Sequence, residues 1–164
     1  MQRIIGFLLV FILHISFVAA QSPKYPKGYF RWPLEIAPEI VANLGELRSN
    51  HWHMGLDIRT AQQVNKRVVA AADGYIAYVG IRPLSFGRFI IINHPNGLST
   101  LYAHLNEFEP ALEKYVTQQQ YLQESWAVEL AIPADKFPVK KRSLHFIQWY
   151  NGWLTRATCS LRNP

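Results

Sequence analysis

Apolar residues along this chain fall into short runs separated by turn signals. The run 68–72 (Val-Val-Ala-Ala-Ala) is continuous, Asp73-Gly74 is a two-residue turn signal, and 75–79 (Tyr-Ile-Ala-Tyr-Val) follows. That pattern predicts two strands paired as a hairpin. The runs 89–92 and 98–102 flank Asn93-His94-Pro95-Asn96-Gly97 and predict a second hairpin. The stretch 126–132 alternates apolar with other residues and predicts a further strand. Strands joined by tight turns imply a mainly β fold, a single antiparallel β-sheet domain. The segment 109–125 differs. It has no glycine, and Ala111, Leu112, Tyr115, Val116 and Leu122 suit one face of a helix, so a helical insertion is expected there.

The two ends carry other patterns. Arg3, an apolar run from Ile4 to Val18 and small residues at Ala19-Ala20 predict a signal peptide over 1–20, removed after Ala20. The apolar run is short for a membrane-spanning helix, so no stable span is expected after cleavage. Residues 21–28, with Pro23 and Pro26, form an extended lead-in. The β domain then runs over 29–141. Residues 142–164 are an atypical tail, with three arginines, no acid and the chain's only cysteine.

Composition narrows the class. With 164 residues, 49% of them hydrophobic, one packed domain is expected rather than disorder. Export places the protein outside the cell or in the periplasm. Cys159 has no partner for an internal disulfide, so the fold stands on its core or on a metal. The net charge of +6 suits an anionic partner such as a cell-wall polymer. No basic stripe interleaves with aromatics, and export argues against nucleic acid.

The candidate chemistry lies in two places. His53-Met54-Gly55-Leu56-Asp57 sets an imidazole and a carboxylate four residues apart around a glycine that lets the backbone bend. Both groups are suitable zinc ligands. Taken alone, the pair equally suits a loop with a surface histidine and a capping aspartate. His104 closes a strongly apolar run, where a hydrogen-bonded structural role is the alternative to catalysis. His51 reads as a surface or supporting group. His94, in a turn, reads as solvated. His14 leaves with the signal.

The order of motifs is more specific than any one of them. His53-Met54-Gly55-Leu56-Asp57-Ile58, then Val69-Ala70-Ala71-Ala72-Asp73-Gly74-Tyr75-Ile76, then the run from Phe86 to Tyr102-Ala103-His104-Leu105 resembles the lysostaphin-type (LytM, duplicated-hybrid-motif) zinc metallopeptidases. The resemblance covers about Phe30 to Leu105. It implies an exported endopeptidase that cuts peptide bonds in peptidoglycan, with its peptide stems as substrate and other cell-wall hydrolases as possible partners. It makes His53 and Asp57 zinc ligands and His104 a catalytic histidine that stabilises or protonates the tetrahedral intermediate. The zinc would polarise the carbonyl and activate water.

The family also needs a late Gly-Pro-His-Leu-His-Phe-Glu segment, whose second histidine is the third ligand. It is absent as written. In one explanation Leu144-His145-Phe146 is a degenerate remnant, with His145 as substitute ligand. In the preferred one the reading frame slips near Lys140-Lys141. One base later, Trp149-Tyr150 and Trp153-Leu154 must each give glycine. Arg156 to Pro164 can then give Gly-Pro-His-x-His-Phe-Glu-Ile, with histidine codons opening within Thr158 and Ser160. Two ligands alone are expected to bind zinc weakly or not at all. This chain is then an impaired peptidase, a non-catalytic module that binds peptidoglycan or a hydrolase, or an inactive frameshift product.

Overall fold

A computed structural model describes residues 27–49, 51–60, 65–141, 145–148 and 156–162. The expected signal peptide lies outside these residues. The elements are β1 (Ile40–Ala42), β2 (Leu56–Arg59), β3 (Arg67–Val69), β4 (Gly74–Arg82), β5 (Gly87–Asn93), β6 (Ser99–Glu107), α1 (Pro110–Leu122), β7 (Val128–Ala131), β8 (Pro138–Val139), β9 (His145–Gln148) and β10 (Arg156–Arg162). All strand pairs are antiparallel, in the order β1-β2-β10-β6-β5-β4-β7. β8 joins β4, and β9 joins β3 and β6. Among the described residues the fold is therefore the expected mainly β class with one helical insertion.

One expected hairpin forms and one does not. β5 and β6 are joined by the 94–98 turn, in which the His94 N–H donates to the Leu98 carbonyl at 2.9 Å. β3 and β4 do not pair: β3 lies against β9 and β4 against β5. Asp73-Gly74 is thus no hairpin turn. Gly74 instead packs so closely on β5 that a Cβ would stand 2.1 Å from the Asn93 carbonyl oxygen. That approach, rather than turn geometry, selects glycine there.

Alternation along the strands divides the sheet into two faces. Ile58, Ile76, Ile90, Ile92 and Tyr102 lie in the main core, where Leu112 and Val116 of α1 are fully buried. The other face carries a smaller cluster of Phe89, Leu101 and Ala103, packed by Tyr78, Phe86 and Ile91. Gly80 belongs to this face, because a Cβ would meet the Phe89 ring at 2.6 Å. Asp57 shares it by register: Thr158 stands opposite both Asp57 and Ala103.

The helix follows from local chemistry. The Glu109 side chain accepts from the Ala111 and Leu112 N–H groups, and Pro110 occupies the first turn without leaving a donor bare. Its buried face is narrower than expected, since Ala111 is exposed and Leu122 is 69% exposed. Leu122 comes ten residues after Leu112, about 80° round the helix from it. Glu113 anchors the helix to β5, taking two bonds from Arg88 at 2.7 and 2.6 Å and one from the Phe108 N–H. Replacing Glu113 with Ala should cost about 1–3 kcal/mol in urea unfolding, as expected for a charge-assisted, half-buried pair.

His94 is a correction to the sequence reading. It is buried rather than solvated. Nδ1 lies 2.7 Å from the Asp73 carbonyl and Nε2 2.9 Å from Thr100 Oγ1, with the Phe30 ring edge-on to it. Burial lowers its pKa from the ordinary 6.5. The unfolded chain therefore takes up a proton at a pH where the folded one does not. The stability involved is fully present above about pH 6.5 and is lost as the pH falls through the lower folded value. The melting temperature should drop on acidification from about pH 7 to about pH 5, and His94→Gln should flatten that dependence.

Candidate functional site

The site begins in the hairpin that leads into β2. Gly45, at φ +83°, allows the chain to turn back. The Gly45 N–H donates to the His53 carbonyl and the His53 N–H to the Glu46 carbonyl, both at 2.8 Å. Leu47 bridges Trp52. Alternation then sends Leu47 and Trp52 to solvent, 73% and 62% exposed, and turns Arg48 and His53 toward Asp57, with Glu46 on the same side but exposed.

The inward side chains close a circuit around Asp57. Nδ1 of His53 lies 2.9 Å from the Asn43 carbonyl oxygen, and Nε2 lies 3.0 Å from Asp57 Oδ1. The second Asp57 oxygen, Oδ2, accepts from the Arg48 guanidinium at 3.2 Å. The same Arg48 nitrogen lies 3.8 Å from Glu46, whose carboxylate accepts from the Asn43 N–H at 2.7 Å. Asp57 is only 2% exposed. A carboxylate so buried needs these partners, because desolvation alone costs several kcal/mol.

An imidazole and a carboxylate side by side are donors of the kinds that zinc accepts. Nδ1 can only donate to the Asn43 carbonyl, which fixes the ring with Nε2 facing Asp57, an orientation usual for a metal-binding histidine. Two neighbouring ligands on zinc, each about 2.0–2.2 Å from it, stand about 3.0–3.5 Å apart, so His53 and Asp57 fit. Among the described residues, no group of three or more His, Cys, Asp or Glu side chains is placed to hold a metal. His145 stands in β9 opposite Val69, away from the β2–β10 pairing that carries Asp57.

His104 sits on a bulge. Ala103 and His104 together oppose Phe89, since Tyr102 pairs with Ile90 and Leu105 with Arg88. Its φ of +57° lies in the left-handed region, and its N–H donates to the Phe86 carbonyl at 2.9 Å. A Cβ on Gly87 would stand 3.9 Å from His104 Nδ1, so the ring lies beside that glycine. β6 is two strand spacings from β2, about 10 Å across the sheet. His51 is exposed on the hairpin. Sequence reasoning missed Arg48 and Asn43. Arg48 meets Asp57 only through the hairpin, and Asn43 acts through its carbonyl, which leaves no mark in a sequence.

A second cluster lies at the far side of the same face. Arg82 donates twice to Glu129 at 2.6 Å, and Tyr78 donates to it at 3.1 Å. These bonds hold the Glu129 pKa below its ordinary value, the Arg82 bond first. The cluster is largely exposed and contributes little to stability.

Asp57→Asn should reduce unfolding stability by about 2–4 kcal/mol, because it removes the charge that Arg48 and His53 share in a buried setting. Chemical denaturation followed by circular dichroism measures this.

Comparison with known proteins bears on the whole region. The model of Peptidase family M23 matches residues 51–153. Cell division protein DipM of Caulobacter vibrioides is 34% identical over 96 residues, 58% of this chain and 15% of that protein. Murein hydrolase activator NlpD of Salmonella typhimurium is 31% identical over 86 residues, 52% of this chain and 21% of its own length. The chain thus spans a minor part of the curated relatives it matches. Among solved structures, a zinc containing peptidase from Vibrio cholerae superposes with a TM-score of 0.55 at 18% identity, over 82% of this chain and 36% of that one. The catalytic domain of a variant of the prophage-encoded M23 protein EnpA from Enterococcus faecalis gives 0.52 at 15% identity, over 88% of both chains. These two likenesses concern the fold.

Proposed function

The chain belongs to peptidase family M23, and from that premise we propose that it is a peptidoglycan-directed member whose zinc centre lacks its third ligand. His53 and Asp57 are the two ligands it retains, and His104 is its catalytic histidine. Zinc in a complete centre of this kind supplies Lewis-acid polarisation of the scissile carbonyl and an activated water. With two donors, no hydrolytic step is assigned to this chain as written. Its place is the cell envelope, consistent with the leader-like first twenty residues. Among the described residues no helix is long and apolar enough to cross a membrane.

The observation that carries this reading is the register of β10. Thr158 stands opposite Asp57 on one side and Ala103, the neighbour of His104, on the other. Read one base later from near Lys140-Lys141, the same codons permit histidine at positions 158 and 160. The strand neighbouring Asp57 is thus the one in which the shifted frame permits a His-x-His pair. This supports a frame slip over a remnant ligand at His145, which belongs to a different strand.

A second reading is a non-catalytic module that binds peptidoglycan or another wall hydrolase. The likeness to a protein named as a murein hydrolase activator favours it.

The test is the double replacement Thr158→His with Ser160→His. The doubly substituted protein should bind one zinc per chain, at least about a hundredfold tighter than the unaltered chain. It should also release new amino termini from isolated peptidoglycan and stop on addition of a chelator. Tight zinc binding without cleavage, with sedimentation on peptidoglycan, would favour the binding module. If zinc binding does not improve, the incomplete-centre reading is wrong.

A further inference from the structure

We infer that Arg48 is a positioning residue for Asp57, holding one carboxylate oxygen so that only the other is offered beside His53 to a metal. The inference rests on the reading of His53 and Asp57 as metal ligands. Its ground is the division of labour between the two oxygens. Oδ2 accepts from Arg48 at 3.2 Å, and Oδ1 faces His53 Nε2 at 3.0 Å. A free carboxylate can take a metal through both oxygens, which fills a position that hydrolytic chemistry keeps open for water. A guanidinium fixed on Oδ2 withholds that oxygen and sets the rotation of the group.

The rest of the circuit fixes Arg48 in turn. Glu46 lies 3.8 Å from the same guanidinium nitrogen, and its other oxygen is held by the Asn43 N–H. Asn43 also orients His53 through its carbonyl. One backbone residue therefore tethers both arms: the imidazole directly, and the carboxylate by way of Glu46 and Arg48. The Arg48 side chain is 27% exposed, so it is screened from water on most sides. Partners of this outer kind typically change metal affinity by about 10–100-fold when removed.

Lysine does not reproduce the arrangement. It carries the charge as a rotatable point, without the planar fork that sets direction. Arg48→Lys thus separates charge from orientation, and Arg48→Met removes both.

The experiment is a zinc titration of the unaltered chain and the two variants, read at the His53 ring by long-range proton–nitrogen NMR. This readout isolates His53 from the other histidines and tolerates weak binding. Thermal unfolding without metal verifies that each variant is folded, and Arg48→Lys carries the test if Arg48→Met is not. Arg48→Met should weaken zinc binding at His53 by about tenfold or more, and Arg48→Lys should recover part of that loss. Equal or tighter binding in either folded variant overturns the inference. So does an unaltered chain whose His53 ring ignores zinc into the millimolar range. The paired histidine replacements on β10 judge the zinc-centre reading separately, because their outcome does not depend on Arg48.

Discussion

The carboxylate of Asp57 is a charge placed where water hardly reaches, and the site is arranged around it. An uncompensated carboxylate there would cost several kcal/mol. The chain meets that cost by turning the charged side of the 45–53 hairpin inward. The consequence is an inverted hairpin, with Arg48 and His53 facing the protein and Leu47 and Trp52 facing solvent. Burying either apolar side chain would be worth about 1.5–3 kcal/mol. That gain is forgone because the alternate face cannot be buried at the same time. By contrast, the pair Arg59–Glu39 is half exposed at both ends, and a pair of that kind contributes about 1 kcal/mol or less.

The sheet supplies the frame that holds this circuit in register with the rest. One face is sealed by a core running from Ile58 to α1. The opposite face is kept low at Gly80, where the Phe89 ring occupies the space of a side chain. Arg88 ties β5 to the helix. It sits in β5 opposite Leu105, next to the His104 bulge, and its guanidinium is clamped by Glu113 of the helix over the Phe108 ring. The helical insertion therefore bears on the strand end that displays His104, although it lies on the core side.

Much of this was legible in the sequence because it follows from short-range pattern. The 89–92 and 98–102 runs with their Asn-Gly turn became β5 and β6, and the glycine-free stretch after Phe108 became α1. What failed was long-range. Asp73-Gly74 has the composition of a hairpin turn, yet β3 joins β9, a strand late in the chain, and no local rule reports that pairing. His94 looked solvated from its Pro-Asn-Gly setting and is buried by Phe30, more than sixty residues earlier. His53 and Asp57 were legible as a pair, since four residues are enough to bring them together. Arg48 was not, because its approach to Asp57 depends on how the hairpin closes.

The tail separates what a strand needs from what a metal needs. Pairing in a sheet is carried by backbone N–H and C=O groups, which every residue but proline supplies alike. The segment Arg156–Arg162 contains neither proline nor glycine, and it takes the place between β2 and β6. A metal asks for named side chains, and this strand has Thr158 and Ser160 at the positions where the shifted frame permits histidine. A frame slip can therefore leave the sheet closed while it removes the ligand. The bonds that join Asn43, Glu46, Arg48, His53 and Asp57 to one another are all formed within residues 43–57, far upstream of Lys140-Lys141.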